Sequence, residues 1–218
     1  MTFSLLARDP ETGALGGVAA TGNICVGAWV LRGDPRAGMS ASQGRTPSTL
    51  WGEDALAAMA EGIGAEPAVA RITGTDPGRA ARQLVLLSAD GGTAGFDGAR
   101  NEPFTGHLDG DGWIVAGNWL SSGDVIESTA RSFCDAAGPF EERLLAALRA
   151  GVAAGSDSRG TLSAALLVVA LDRPPLSLRV DWDTDPVDRL VALYKKTREP
   201  GYDAWLRTLP TRNAPDAG

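Results

Sequence analysis

The sequence predicts an α+β fold, a four-layer αββα sandwich in which two mostly antiparallel sheets stack face to face and helices cover both outer faces. Three features carry that expectation. Elements run in the order strands, helices, strands, helices, strands, helix. Neighbouring strands are joined by hairpin-length connections, which pair them antiparallel. The segment 161–171 is apolar on both faces, as a strand buried between two layers requires.

Residues 3–8 and 14–21 read as strands joined by a turn containing Pro10, Thr12 and Gly13. The second is rich in glycine and alanine, which lets a neighbouring backbone or ligand approach closely. Residues 24–31 and 38–43 read as further strands. Ser48 or Thr49 caps a helix that runs to about Ala60, with Leu50, Leu56, Met59 and Ala60 on its apolar stripe. A shorter helix covers 66–72. Strands at 83–88 and 93–97 flank Asp90, Gly91 and Gly92, a hairpin turn, and another strand spans 113–118. Helices are expected at 122–133 and 139–151, the second placing Phe140, Leu144, Leu148 and Val152 on one face. The strand at 161–171 turns through Pro174 and Pro175 into 176–182. A closing helix begins at Pro186, where proline suits the first turn, and runs to about Arg198. Residues 1–207 then form one domain, and 208–218 form a loose tail without periodicity.

A chain of 218 residues that is 44% hydrophobic can bury a substantial core. Its longest apolar stretch, 164–171, falls short of the roughly 20 residues that span a bilayer. With no secretion-signal pattern at the start, a soluble cytoplasmic protein is expected. The net charge of −7 and the scattered arginines argue against a nucleic-acid partner. Cys25 and Cys134 lack CxxC spacing and read as packed free thiols. His107 is the single histidine, which removes every multi-histidine metal site and leaves one imidazole for acid–base work.

Several segments together carry a resemblance. They are Thr2-Phe3-Ser4 with Ala7-Arg8-Asp9, Gln43, Asp76-Pro77-Gly78-Arg79 with Arg82-Gln83, Gly106-His107, and Gly117-Asn118 with Leu120. Further along come Glu142-Arg143-Leu144-Leu145 and the stretch from Gly155 to Gly160 with Ser163-Ala164-Ala165. In order and spacing these resemble a bacterial family of domains of unknown function, the 1028 family, placed in the N-terminal-nucleophile (Ntn) hydrolase superfamily. The resemblance spans nearly the whole chain and implies a fold and a reaction type. Departures at Thr21-Gly22, Trp51 and Leu162 bear on substrate recognition more than on fold.

A threonine hydroxyl normally borrows a histidine as its base. A threonine at the very start of a chain carries its own base, because its α-amino group has a pKa near ~7.7–8. Thr2 follows Met1, and a small second residue permits removal of the initiator, so Thr2 is the expected nucleophile. The structural alternative is that Thr2 simply opens an edge strand. Asn118, beside Gly117 at a strand end, can supply oxyanion donors, though the pair also suits a turn. Asp157, Ser158 and Arg159 occupy a glycine-bounded loop before the most buried strand; Asp157 with Arg159 can orient the amine or bind a carboxylate, or form a solvated ion pair.

Gln43 ends a strand where it either touches substrate or lies exposed. Ntn enzymes often place a lysine near the nucleophile; Lys195 and Lys196 lie near the C-terminal end, so Arg8, Arg82 or Arg159 would substitute. A rival Ser-His-Asp arrangement from His107 with Ser42 or Ser163 lacks a G-x-S-x-G elbow. Tryptophans such as Trp29, Trp51, Trp113 and Trp119 can line a pocket, though such residues are usually core or subunit contacts, and a homo-oligomer is expected. The expected function is hydrolysis or acyl transfer on a small amide or peptide-like substrate, with no cofactor or metal. The contrasting expectation is a non-catalytic ligand-binding or assembly protein that keeps the fold.

Overall fold

The computed structural model describes residues 1–155 and 160–216. Its first strand, β1 (Thr2–Arg8), is buried on both faces. Phe3, Leu5 and Ala7 enter an apolar cluster with helix residues, while Leu6 enters a second cluster between the sheets. Because strand side chains alternate with a period of two, Thr2 and Ser4 share the inter-sheet face with Leu6. There follow β2 (Leu15–Thr21), the one-turn helix α1 (Val26–Trp29), β3 (Leu31–Asp34), β4 (Gly38–Gly44), α2 (Thr49–Ala60) and α3 (Ala65–Gly74). Next are β5 (Arg82–Ser88), β6 (Thr93–Asp97), β7 (Phe104–Gly110), β8 (Trp113–Leu120), α4 (Asp124–Asp135) and α5 (Phe140–Ala154). The chain closes with β9 (Ser163–Val169), β10 (Leu176–Val180), α6 (Pro186–Thr197) and α7 (Pro200–Leu206).

The strands form two sheets, one in the order β10-β9-β2-β1-β8-β7 and one in the order β3-β4-β5-β6. Every pairing is antiparallel. Thr2 therefore opens an interior strand, flanked by β2 on one side and β8 on the other, and not an edge strand. Helices α4, α5 and α6 pack on the outer face of the six-stranded sheet, where Val125, Leu144, Leu148 and Leu190 join Phe3 and Leu5. Helices α2 and α3 pack on the outer face of the four-stranded sheet through Trp51, Ala55, Val69 and Ile72, against Leu84 and Leu86. Between the sheets lie Leu6, Leu15, Met39, Val85, Leu87 and Ile114.

The small residues of β2 serve packing. A Cβ on Gly16 would stand 2.6 Å from Leu144 Cδ1, so the absent side chain lets α5 lie directly on the sheet. A Cβ on Gly17 would meet Leu6 Cδ2 at 2.8 Å on the opposite, inter-sheet face.

Three local expectations are corrected. Residues 24–31 do not form a strand: Cys25 adopts a left-handed φ of 63°, α1 intervenes, and β3 begins only at Leu31. Tertiary bonds impose this, since Cys25 N–H donates to Asp181 O and Val26 N–H to Ser163 Oγ. The unpredicted strand β7 lies at an edge of its sheet and exposes Phe104, His107, Leu108 and Asp109 in part or fully, so its sequence carries no buried alternation. Cys134 is exposed on α4 and is not a packed thiol, while Cys25 is partly buried. Trp51 is core, but Trp29 and Trp119 are exposed. Among the described residues, no helix is long and apolar enough to cross a membrane.

Candidate functional site

At one end of the inter-sheet space the apolar filling gives way to polar side chains. Thr2 lies directly opposite Thr21 of β2 and directly opposite Asn118 of β8. Opposed residues on neighbouring strands present their side chains on one face, with Cβ atoms roughly 4.5–5.5 Å apart. Thr2 is thus set between a hydroxyl and an amide. Its Oγ1 is 2.9 Å from Thr21 Oγ1, and Thr21 Oγ1 donates to Met1 O at 2.7 Å. A hydroxyl has one hydrogen, and that of Thr21 is spent on Met1 O, so Thr2 is the donor in the Thr2–Thr21 pair. Met1 itself is 4% exposed and packs into the cluster shared by Phe3 and Leu5.

Beside Thr2 opens a cavity of about 360 Å³, into which Thr21, Asn23, Gln43 and Arg45 contribute polar groups. Its apolar wall comes from Ile24, Val26, Trp29, Val30 and Pro47. Arg45 is the one charged residue in that lining. Two non-glycine residues with left-handed backbone stand next to the site, Cys25 (φ 63°) immediately before α1 and Trp119 (φ 56°) immediately after Asn118. Such conformations are uncommon and persist where surrounding structure imposes them, often at functional positions.

A buried amide network ties the two sheets together behind the cavity. Gln83 Nε2 donates to Asp97 Oδ1 at 2.6 Å, Gly117 O at 2.9 Å and Gly106 O at 3.0 Å. Those three acceptors fix which end of the Gln83 amide is which. Its Oε1 then accepts from Gln43 Nε2 at 2.7 Å and from Asn118 Nδ2 at 3.1 Å, which orients both of those amides in turn. Gln43 Oε1 is left buried without a donor among the described residues. At the outer end of the network His107 Nδ1 is 2.7 Å from Asp97 Oδ2. That hydrogen bond, with the charges of Asp97 and Asp109, raises the His107 pKa above its usual 6.5, and partial burial opposes the rise.

The structure brings Thr2, Gln43 and Asn118 to one end of the sheet stack, and Gly117 joins them through its carbonyl. Gln43 is 1% exposed, so the reading as an exposed amide gives way to a buried one. Arg8 is not brought there; it ends β1 at the opposite end, where its Nε donates to Ala89 O at 3.1 Å. Arg82 is engaged on the helix side of the other sheet, 2.8 Å from Asp76 Oδ2 and over the Trp51 ring at 5.7 Å. Asp157, Ser158 and Arg159 lie outside the described residues.

Sequence reasoning did not place Arg45 or Asp97 beside the site; it met Thr21 as a departure bearing on substrate recognition and Gln83 within a segment that carries the resemblance, without giving either a place there. A cross-strand register would have disclosed Thr21 as the hairpin partner of Thr2. His107 serves the Asp97 pair; Ser163 Oγ donates to Asn23 O at 2.7 Å and Ser42 Oγ to Ser48 O at 2.7 Å, so neither serine is joined to the imidazole. Among the described residues, no group of three or more His, Cys, Asp or Glu side chains is placed to hold a metal ion.

Comparison with known proteins adds a family and a structural relative. A model described as "Family of unknown function (DUF1028)" matches residues 2–190. The crystal structure of protein SPO2555 from Silicibacter pomeroyi, described with the same DUF1028 family model, is 46% identical and superposes with a TM-score of 0.96. That match covers 99% of this chain and 94% of the other. No curated protein matches.

Proposed function

The chain belongs to the DUF1028 family, and we propose that it is an N-terminal-nucleophile hydrolase or acyl transferase acting on a small amide or peptide-like substrate, with Thr2 as nucleophile once Met1 is removed. The helices, two sheets and helices stacked in succession are read as the four-layer αββα arrangement of that superfamily. The observation that carries the proposal is the position of Thr2. It sits on the inter-sheet face of a central strand, at the lip of a cavity, between the Thr21 hydroxyl and the Asn118 amide.

Removal of Met1 does two things. It frees the Thr2 α-amine, whose pKa near ~7.7–8 leaves part of it neutral at physiological pH. It also takes away the carbonyl that occupies the Thr21 hydroxyl hydrogen, so Thr21 can donate to the new terminus. The neutral amine then accepts the Thr2 Oγ1 proton as Oγ1 attacks the substrate carbonyl carbon. The developing oxyanion is held by the Asn118 amide N–H not given to Gln83, together with backbone N–H groups. Collapse of the tetrahedral intermediate breaks the C–N bond, and the departing amine takes the proton from the Thr2 ammonium. Water, deprotonated by the same amine, attacks the resulting ester and regenerates Thr2. Amide and water give carboxylic acid and amine.

A test is turnover of a panel of N-acyl amino acids and N-acyl dipeptides, read as released amine, by the Met1-processed protein and its variants. Thr2→Ala should lower kcat/KM on the order of 10³-fold or more, and Thr2→Ser should keep measurable turnover. Full turnover by Thr2→Ala would overturn the assignment.

One observation favours a second reading, a ligand-binding protein in which the threonine is idle. Met1 is a buried core residue whose carbonyl accepts hydrogen bonds from Thr21 Oγ1 and from Gly22 N–H. A chain that keeps Met1 has the Thr2 nitrogen locked in a peptide bond.

A further inference from the structure

The cavity beside Thr2 is lined by one charged side chain, Arg45, in a protein whose net charge is −7. Among the described residues no carboxylate lies within ion-pairing distance of Arg45. Its root is nevertheless fixed. Arg45 N–H donates at 2.9 Å to Oδ1 of Asn101, a side chain 1% exposed, and Asn101 Nδ2 donates in turn to Arg82 O at 2.9 Å and Gly98 O at 3.0 Å. The guanidinium lies over the Trp119 ring at 5.9 Å, a contact that limits where the head can go while leaving its N–H edges available. Two residues before Arg45, the buried Gln43 of β4 lines the same cavity, and Ile24, Trp29, Val30 and Pro47 supply apolar surface.

A cation held at its backbone and lying over Trp119, with no carboxylate partner among the described residues, and an apolar wall together select a ligand with one carboxylate and a modest apolar group. A planar guanidinium matches a carboxylate with two parallel N–H donors, which a neutral carboxamide cannot reproduce. We infer that the substrates of this site are small amides bearing a free carboxylate, of the N-acyl amino-acid or short-peptide class, with Arg45 as the carboxylate partner and specificity determinant. The inference rests on the cavity being the substrate site of the hydrolase proposed above and adds the class of molecule it takes. Binding tests it separately from turnover.

The probes are N-acetyl-L-leucine and its neutral match N-acetyl-L-leucinamide, titrated calorimetrically into Thr2→Ala protein so that nothing is consumed. The carboxylate should bind about tenfold more tightly than the carboxamide, a preference between that of an exposed ion pair and that of a buried charge-assisted one. Arg45→Gln should abolish the preference by weakening the carboxylate alone, Arg45→Lys should retain part of it, and raising the salt concentration should reduce it. Arg45 is exposed in the bend just after β4, so these variants should fold, with unchanged thermal midpoints as the control. Equal affinity for the two probes, a preference that survives Arg45→Gln, or no binding of either at millimolar concentration would each overturn the inference. Arg45-dependent binding in a protein that hydrolyses no amide would keep Arg45 as the carboxylate partner of a bound ligand and remove the hydrolase reading, and with it that ligand's role as a substrate.

Discussion

Gln83 organises the polar end of the interior although it makes no claim to chemistry. The two N–H groups of one amide face three acceptors, its oxygen accepts from two neighbouring amides, and it is fully buried. Replacing it by leucine takes the acceptor away from the buried Gln43 and Asn118 N–H groups that point at its oxygen. Each such loss costs about 1–3 kcal/mol, so Gln83→Leu should lower the free energy of unfolding by about 3 kcal/mol or more, read from urea denaturation. A loss below about 1 kcal/mol would show that the network relaxes around the gap. At this scale the sequence disclosed residues whose chemistry is local. Thr2 is marked by its place in the chain, and Asn118 by its strand-end glycine neighbour. Arg45 is marked by nothing local and Gln83 only by lying in a segment that carries the resemblance, because what matters about them is which strand lies opposite, and that is settled by the fold.

Edges of the two sheets meet where β6 approaches β7, and there Asp97 and His107 form an ion pair spanning both sheets. The His107 pKa is raised in the folded chain, so its contribution to stability is fully present below the unfolded value near 6.5 and is lost as pH climbs through the raised folded value. The urea midpoint should therefore fall as pH rises from about 6.5, and the part of the fall due to this pair should disappear in His107→Gln. An identical pH profile for the two proteins would contradict the assignment. The strand that carries His107 was invisible in the sequence for a related reason. An edge strand with one solvated face and glycines at Gly106 and Gly110 has neither an apolar run nor a clean alternation. Strands buried on both faces, such as β5 and β9, were legible because burial on both sides forces nearly continuous apolar composition. The misread segment 24–31 fails for the opposite reason: it is apolar enough for a strand, but bonds to Asp181 and Ser163 bend it into α1.

For the molecule as a whole, the arrangement sets the first strand in the middle of the larger sheet and delivers its leading residue to the open end of the sheet stack. Hydrogen bonding from β2 and β8 holds Thr2 from both sides, so the terminus is positioned by the most deeply paired part of the fold. The functional account depends on whether Met1, packed in the core with its carbonyl accepting from Thr21, is taken off in the living cell. The decisive measurement is the intact mass of the protein isolated from the organism that encodes it, before and after exposure to a β-lactone. The account predicts a chain lighter by one methionine residue that gains one lactone adduct on Thr2, located by peptide mapping. A chain that retains its methionine and takes up no adduct would contradict it.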